Sequence, residues 1–260
     1  MREEKRKSMF NSLKGKRALV TGASTGIGAA IAEQLAMHGA QVGVHYRSNL
    51  KDAQAVVDRV RSLSGWGELF QGDLLDITVQ QNLIRNFVDA CGGIEILVNN
   101  AGGIYDYVHF SELNEKSWDN TFNLNVKAPF FLIKEAFPHM KKNGGGKIVN
   151  ITTVSAKYGG SSHNLHYAAS KSALDTLTIG FAREGAKHKI LANSIRCGLI
   201  ETGMQKKIPG YTEKLFKQRL NLIPLQRAGT PDDIARMAIF LLSECGDFIT
   251  GQIFSVSGGD

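Results

Sequence analysis

Tyr167 and Lys171 are the residues whose types and spacing best suit proton chemistry. Residues 166–177 around them are rich in helix-forming residues, and positions four apart on a helix share a face. A free tyrosine has a pKa near ~10, and a neighbouring cation stabilises its phenolate and lowers that pKa. The pair therefore predicts a general acid or base, with an ordinary pair on a helix surface as the alternative.

Length and composition limit the classes of protein to consider. The 260 residues, 43% of them hydrophobic, predict a soluble globular protein, with a charged leader over residues 1–12 and a single domain over residues 13–260. The sequence contains no apolar run long enough for a membrane span and no apolar signal core after the charged start, so we expect a cytoplasmic protein. The net charge of +7 is spread along the chain, which favours a solvated surface over a nucleic-acid or membrane partner.

Cysteines and histidines do not form a recognisable metal motif. Cys91, Cys197 and Cys245 lie far apart without a Cys-x-x-Cys pair, which predicts reduced thiols rather than disulfides or a zinc site. His163-x-x-His166 has the spacing of a ligand pair but lacks a neighbouring Cys, Asp or Glu to complete a metal shell. We therefore assign no metal.

A glycine-rich turn joins the first predicted strand, residues 17–21, to the first predicted helix, residues 27–38. The turn is Gly22-Ala23-Ser24-Thr25-Gly26-Ile27-Gly28. Its glycines permit a tight turn and let N–H groups at the helix start approach a pyrophosphate. The pattern predicts a dinucleotide cradle, with a purely structural turn as the alternative.

The same turn also matches Gly-x-Ser-x-Gly, the nucleophile elbow of serine hydrolases, in which Ser24 would be acylated. The order of elements argues against this hypothesis, because the elbow normally follows several strands and here it follows the first. No histidine after a later strand is an obvious base for Ser24. A serine hydrolase stays an alternative function.

The second predicted strand, residues 41–46, ends without the acidic residue that binds adenosine ribose hydroxyls in many dinucleotide folds. Arg47 and Ser48 offer instead a guanidinium and a hydroxyl that suit a 2'-phosphate. These residues favour NADP(H) as cofactor and leave NAD(H) possible. A solvated arginine in a surface turn is the alternative.

Two further strands end in polar or small residues. Asp73 follows the third strand, residues 68–71, and could accept a hydrogen bond from an adenine amine, although Asp after Gly is also ordinary turn chemistry. Asn99-Asn-Ala-Gly102 follows the fourth strand, residues 94–98, and could cradle a cofactor beside the central crevice. The repeated alternation of strand and helix predicts a doubly wound parallel α/β sheet.

A long helical stretch is predicted over residues 115–142, with an adjustment at Pro129. It contains Asn125, which either bonds locally or holds a water behind the active site. Thr153 follows the fifth strand, residues 147–151, and so lies at its carboxyl end. In this class of fold, ligands bind at the carboxyl ends of the strands.

Together these motifs resemble the short-chain dehydrogenase/reductase (SDR) family, including its 3-oxoacyl-ACP reductase and glucose dehydrogenase members. The matching segments are Thr21-Gly-x-x-x-Gly-Ile-Gly28, Asn99-Asn-Ala-Gly102, Tyr167-x-x-x-Lys171, residues 224–231 and residues 250–259. The resemblance implies one Rossmann-like domain with a parallel seven-stranded sheet flanked by helices. It also implies an NAD(P)-dependent oxidoreductase that transfers hydride between nicotinamide and a carbonyl or secondary alcohol, and a homotetramer built partly from two long central helices.

The resemblance assigns a role to each site residue. Tyr167 would exchange a proton with the substrate oxygen, and Lys171 would bind the nicotinamide ribose and lower the pKa of Tyr167. Asn125 would complete a proton relay through water, and Thr153 would hydrogen-bond the substrate oxygen. The cofactor would contact Thr21, Gly22, Ser24, Thr25, Gly26, Ile27, Gly28, Arg47, Ser48, Asp73, Leu74, Asn99, Ala101, Gly102, Tyr167, Lys171, Gly198, Ile200 and Thr202.

Two positions depart from the family pattern. The family usually has a serine thirteen residues before the tyrosine, where this chain has Val154. We assign the role to Thr153, because Asn150-Ile-Thr-Thr153 matches the family's Asn-Ile-Ser-Ser and the next loop is then one residue longer. Cys197 replaces the usual proline, and we expect an inert thiol. Lost catalysis at Thr153 would leave a dinucleotide-binding regulatory protein.

Residues 201–222 predict a mobile substrate lid, with a pair of surface helices as the alternative. The segment carries Lys206, Lys207, Lys214 and Lys217, which could receive an acidic carrier protein or a phosphorylated substrate. An acyl carrier protein is therefore a candidate partner beside the small-molecule substrate.

Overall fold

A computed structural model describes residues 10–203 and 212–260. The strands are β1 (Arg17–Val20), β2 (Gln41–Tyr46), β3 (Gly67–Gln71), β4 (Ile96–Asn99), β5 (Gly146–Thr153), β6 (Ile190–Cys197) and β7 (Ile253–Val256). They form one seven-stranded sheet in the order β3-β2-β1-β4-β5-β6-β7, and every neighbouring pair is parallel. The helices are α1 (Gly26–Met37), α2 (Leu50–Ser64), α3 (Ile77–Cys91), α4 (Glu115–Phe122), α5 (Ala128–Lys142), α6 (Ser155–Tyr158), α7 (Leu165–Ala186), α8 (Glu213–Leu220) and α9 (Pro231–Leu242). The predicted doubly wound α/β fold is confirmed.

The central strands are short apolar runs because helices cover both faces of the sheet. Ala18, Leu19 and Val20 of β1 are completely buried. The strand order reverses direction at β1, whose neighbours are β2 on one side and β4 on the other. The carboxyl ends of β1 and β4 therefore border the crevice at which ligands bind in such sheets.

Two apolar layers lie against the sheet. One packs side chains of α1, α2 and α9 against it, and the other packs side chains of α3, α5 and α7. Polar caps fix where the helices begin: the Asn49 side chain accepts from the N–H of Asp52 at the start of α2, and Thr230 and Asp233 form a reciprocal capping box at the start of α9. These two layers cover the faces of the sheet but not the carboxyl ends of its strands.

The helix predicted over residues 115–142 is interrupted by a π-helical turn at Asn123–Lys127, between α4 and α5. The expected adjustment is present directly before Pro129: the backbone stays helical from α4 through this turn into α5, and the Ala128 N–H donates to the Asn123 carbonyl five residues back. The turn contains Asn125, and such turns inside helices often occur at functional sites.

Residues 10–12 contact the last part of the fold through Glu244. Its carboxylate accepts from the N–H groups of Phe10 and Asn11, both at 3.1 Å, and from the Ser12 hydroxyl at 2.5 Å. Leu13, next in the chain, is 1% exposed. Residues 1–9 of the predicted leader lie outside the described residues.

The predicted lid is described only in part, because residues 204–211, including Lys206 and Lys207, lie outside the described residues. Its described part contains α8, on which no residue is buried. Lys214 and Lys217 of α8 are exposed. Over the described residues, no helix combines the length and apolar character that a membrane span requires.

Candidate active site

The glycine-rich turn after β1 is fastened to the segment after β4. The Thr21 hydroxyl oxygen accepts from the N–H groups of Asn100 and Ala101, both at 3.0 Å. The Asn100 side-chain amide donates to the carbonyls of Thr21 and Gly22, both at 2.9 Å. These bonds hold the ends of β1 and β4 together at the point where the strand order reverses.

Two glycines of this turn leave space that a side chain would fill. A Cβ on Gly28 would lie 2.5 Å from the Gly22 carbonyl oxygen and closer still to the Asn100 amide nitrogen. Gly22 has a left-handed backbone, with φ of 61°, and its Cβ would lie 2.9 Å from Ala101 Cα. Among the described residues no side chain caps the start of α1, where Thr25 is the N-cap residue, so its first N–H groups can bind an anion. The turn therefore fits a pyrophosphate.

The other residues of the glycine-rich turn differ in exposure, and a residue from another segment lies over the turn. Ser24 and Ile27 are half-buried, and Thr25 is exposed. Thr202, after β6, lies over the turn, because its methyl carbon would be 3.4 Å from a Cβ on Gly26. The segment after β6 and the glycine-rich turn after β1 therefore lie against each other at this point.

The adenosine end predicted from the sequence lies at the carboxyl ends of β2 and β3. Arg47 and Ser48 are exposed there, and Arg47 Nη1 donates to the Tyr105 hydroxyl at 3.4 Å. Asp73 is also exposed, and its carboxylate accepts from the N–H of Leu75 at 3.0 Å. Leu74 is 3% exposed, and its side chain packs in the apolar core.

Lys171 is not part of an ordinary surface pair, because it is only 3% exposed. Its ammonium nitrogen donates to the Ile151 carbonyl of β5 at 2.9 Å. A Cβ on Gly102 would lie 2.8 Å from Lys171 Nζ and 2.9 Å from Asn125 Oδ1. The segment after β4, the π-helical turn and the helix that carries Tyr167 therefore converge at Gly102.

The pKa of Tyr167 is raised, not lowered as the pairing with Lys171 predicted. Loss of hydration is the larger cause, and the nearby Cys197 thiol acts in the same direction. Burial lowers the pKa of Lys171 to about 8, against the opposing influence of Cys197 and Asp175. At neutral pH the described geometry therefore keeps the phenol protonated and most of the lysine charged.

Asn125 joins the loop after β4 to α7. Its amide oxygen accepts from the N–H of Gly103 at 3.0 Å, and its amide nitrogen donates to the Gly103 carbonyl at 2.8 Å and to the Ser170 hydroxyl at 3.0 Å. Ser170 in turn donates to the Tyr167 carbonyl at 2.7 Å. The local bonding considered as the alternative is present, and a relay through Asn125 stays a prediction.

Thr153 ends β5 beside Cys197, its register partner on β6. The Thr153 hydroxyl oxygen accepts from the N–H of Ser155 at 3.3 Å and donates to the Ser155 hydroxyl at 3.4 Å. Cys197 is 6% exposed, and burial raises the pKa of its thiol to about 12. A thiol with such a pKa is a poor nucleophile at neutral pH.

Some residues predicted to contact the cofactor make contacts inside the fold instead. Asn99 is 1% exposed, and its amide nitrogen donates to the Asn150 side chain at 2.8 Å inside the sheet. Ile200 is 4% exposed and packs in the apolar core. Gly198 lies so close to Ser257 that a Cβ would be 2.7 Å from Ser257 Cα. The side chains of Asn99 and Ile200 stabilise the fold, whatever their backbones contact.

Comparisons with known proteins agree with this geometry. A family model described as enoyl-(acyl carrier protein) reductase matches residues 22–260. The chain is 32% identical over 256 residues to a short chain dehydrogenase from Claviceps purpurea, covering 95% of this chain and 96% of that one. The chain belongs to the SDR family.

Two further matches extend the comparison of this SDR chain. It is 35% identical over 244 residues to the 3-oxoacyl-[acyl-carrier-protein] reductase FabG of Staphylococcus aureus, covering 94% of this chain and 97% of that one. A crystal structure of a short chain dehydrogenase from Burkholderia cenocepacia in complex with NADP has a TM-score of 0.88 and 35% identity, covering 95% of this chain and 98% of that one. The resemblance drawn from the motifs is confirmed, and with it membership of an oxidoreductase family.

His166, which the sequence indicated only as half of a ligand pair, and Tyr105, which no sequence pattern indicated, contact each other beside Tyr167. His166 is 2% exposed, and its Nε2–H donates to the Tyr105 carbonyl at 2.9 Å. The Tyr105 N–H donates to the buried Thr121 hydroxyl at 3.2 Å. The position of His166 directly before Tyr167 was the available signal. His163 is exposed and bonds to the Ser162 hydroxyl, and no metal-ligand cluster occurs among the described residues.

His45 is a second buried histidine that the patterns did not single out, although an imidazole in the apolar strand β2 was a signal. It is 2% exposed, and its two ring nitrogens lie 3.1 Å from the Gly22 nitrogen and 3.1 Å from the Gly72 carbonyl oxygen. Burial lowers the pKa of His45 from 6.5 to about 4, against the opposing influence of the Gly72 carbonyl and of Asp73.

This lowered pKa predicts an acid-sensitive fold. The neutral imidazole contributes stability that is complete above pH 6.5 and is lost as the pH falls towards 4, because the unfolded chain then takes up a proton that the folded chain excludes. We expect the free energy of unfolding to lose about 3 kcal/mol from this residue across that window. Urea unfolding at several pH values checks it. His45→Asn should lack this contribution, and parallel pH profiles for both proteins would contradict it.

Proposed function

We propose that this chain is an NADP(H)-preferring oxidoreductase that interconverts a carbonyl and a secondary alcohol, with Tyr167 as general acid and base. The observation that supports it most is the convergence at Gly102. There the segment after β4 borders the glycine-rich turn of residues 22–28, called the pyrophosphate turn below. The same segment lies against buried Lys171, one helical turn from Tyr167. A bound nicotinamide supplies or accepts the hydride.

In the reducing direction Tyr167 donates its proton to the substrate oxygen, for which a phenol that stays protonated at neutral pH is suited. The Lys171 ammonium stabilises the phenolate that remains and binds the nicotinamide ribose. Thr153 donates a second hydrogen bond to the same oxygen, and its methyl group narrows the space for the substrate. Asn125 positions the loop after β4 and completes the relay through water by which Tyr167 regains its proton.

The substrate class within the proposal includes 3-oxoacyl thioesters. Support comes from similarity to a relative whose name states that it reduces the 3-oxoacyl group on acyl carrier protein. Exposed Lys214 and Lys217 on α8 provide positive charge for an acidic carrier, within the segment that we propose as a lid. Sugars and other ketones remain within the same reaction type.

We also propose a cytoplasmic homotetramer. Exposed aromatic side chains on the outer face of α4 and α5 support self-association, since Trp118 is 44% exposed and Phe130 is 38% exposed. Trp118 stacks on Phe122 with ring centroids 4.8 Å apart, so the apolar surface is continuous there. Large aromatic residues are enriched at protein interfaces.

A screen of ketones, sugars and 3-oxoacyl thioesters with NADPH and NADH, followed at the nicotinamide absorbance, tests the proposal. We expect NADPH oxidation with at least one class. Tight NADPH binding without turnover of any substrate would favour a regulatory protein instead. Labelling of Ser24 by an active-site serine probe would favour a hydrolase, although the nearby His45 has both ring nitrogens engaged elsewhere.

The preference for NADPH depends on Arg47 in this proposal. Arg47→Ser should raise the dissociation constant for NADPH by about 10-fold to 100-fold and leave that for NADH unchanged, because only the 2'-phosphate loses a charge-assisted hydrogen bond. Fluorescence titration with both cofactors measures this. Arg85→Ser, at an exposed arginine of α3, serves as the control. Equal affinity of the unmodified protein for NADPH and NADH would contradict the preference.

A further inference from the structure

We propose that His45 is a positioning residue that holds the diphosphate and adenine portions of the cofactor site at a fixed spacing. The inference rests on the proposed dinucleotide binding. β2 lies between β1 and β3 in the sheet, so a side chain at its carboxyl end can reach the segments that follow both neighbours. His45 occupies that place and contacts both.

Its contacts join β2 to the two segments that follow β1 and β3. The Gly22 N–H donates to His45 Nδ1 at 3.1 Å, and His45 Nε2–H donates to the Gly72 carbonyl at 3.1 Å. The Ala23 N–H donates to the His45 carbonyl at 2.8 Å. Gly22 and Ala23 belong to the pyrophosphate turn, and Gly72 directly precedes Asp73 at the proposed adenine contact.

These partners dictate the form of the imidazole. A backbone N–H can only donate, so Nδ1 is unprotonated, and a carbonyl can only accept, so Nε2 carries the hydrogen. Protonation of Nδ1 would remove the acceptor that Gly22 uses. The burial that lowers the pKa of His45 favours the same neutral form, with Asp73 as the charged group that opposes it.

The two hydrogen bonds act on different parts of the site. Gly22 has a left-handed backbone, and its N–H faces His45, which fixes the orientation of the turn and hence of the N–H groups at the start of α1. The bond to Gly72 fixes the segment that carries Asp73. In the proposed role, the first bond sets affinity for the diphosphate and the second aligns the adenine side with it.

Asparagine and glutamine separate the two bonds. The Asn side-chain oxygen can occupy the place of Nδ1 and accept from Gly22, whereas the Gln side-chain nitrogen can occupy the place of Nε2 and donate to Gly72. His45→Asn therefore keeps the bond to the turn, and His45→Gln keeps the bond to the β3 segment. His45→Leu removes both. His188→Gln, after the end of α7, is the matched control.

The variants are compared by NADPH fluorescence titration, by KM for NADPH and kcat on a substrate found in the screen, and by thermal unfolding. We expect His45→Asn, which loses the alignment of the adenine side, to raise the dissociation constant for NADPH by about threefold, and His45→Gln, which loses the bond to the turn, to raise both the dissociation constant and KM by about tenfold. At saturating NADPH, kcat should stay within about twofold for both, because neither variant alters the groups that exchange the proton. If His45→Leu does not fold, the comparison of Asn with Gln carries the test.

Equal NADPH affinity in all variants would overturn the proposal. Equal losses in His45→Asn and His45→Gln that follow their thermal midpoints would also overturn it, because His45 would then act through stability alone. Failure of the unmodified protein to bind NADPH is a different result. It would overturn the proposed function, and this inference with it.

Discussion

Tyr167→Phe is expected to lower turnover by about 10²-fold to 10⁴-fold while NADPH affinity stays within about twofold. The change removes the hydroxyl proposed to exchange the proton and keeps the aromatic ring. Lys171 keeps its hydrogen bond to the Ile151 carbonyl, so the ribose contact proposed for it is retained. Steady-state kinetics with the best substrate from the screen, together with NADPH titration, measure the two effects separately.

Tyr158→Phe is the matched control, because Tyr158 is 55% exposed and its hydroxyl bonds only to Lys157 among the contacts described for it. We expect its turnover to stay within about twofold of the unmodified protein. Undiminished turnover in Tyr167→Phe would remove Tyr167 from the role of acid and base. Equal losses in both variants would point to a general disturbance of this region.

The positions of the strands were predictable because parallel strands buried on both faces are short continuous apolar runs, and glycine-rich or polar segments separate those runs from the helices. The break in the long helix before α5 was harder to locate. Pro129 marks the region, because a proline has no N–H to continue the helical hydrogen bonds, but it does not show where the π-helical turn before it begins and ends.

Within the site, spacing predicts which residues come together better than it predicts what each side chain does. Asn99 and Asn100 are adjacent, yet Asn99 bonds inside the sheet and Asn100 fastens the pyrophosphate turn. Alternation along a strand sends neighbours to opposite faces, but which face borders the groove depends on the register with β5 and β1. That register is set by contacts distant in sequence.

The pKa of Tyr167 shows a second limit. A lysine four residues away predicts a lowered value, since a cation favours the phenolate. Burial raises the pKa of Tyr167 in the fold described, and the Lys171 ammonium is directed to a carbonyl of β5. The depth of a helix in the fold cannot be read from the spacing of two residues on it.

Gly28→Ala is expected to raise the dissociation constant for NADPH by about 100-fold, because the methyl group has no space. Its Cβ would lie 2.5 Å from the Gly22 carbonyl oxygen, a backbone atom that cannot move without displacing the pyrophosphate turn. Loss of one or two hydrogen bonds to a charged phosphate, at about 1.5 kcal/mol or more each, corresponds to about 10²-fold in the dissociation constant. NADPH titration and thermal unfolding measure the effect on affinity and on the fold.

Helix propensity and packing make opposite predictions for this substitution, which allows them to be separated. Alanine stabilises a helix by about 1 kcal/mol relative to glycine when nothing obstructs it. A Cβ on Gly180 in α7 would meet no neighbouring atom within 4 Å, so Gly180→Ala should raise the thermal midpoint and leave NADPH affinity unchanged. Gly28→Ala should lose affinity despite the same gain in propensity. NADPH affinity retained in Gly28→Ala would show that close packing of α1 on the turn is not needed for binding, and the turn would then lose its assignment as the pyrophosphate cradle.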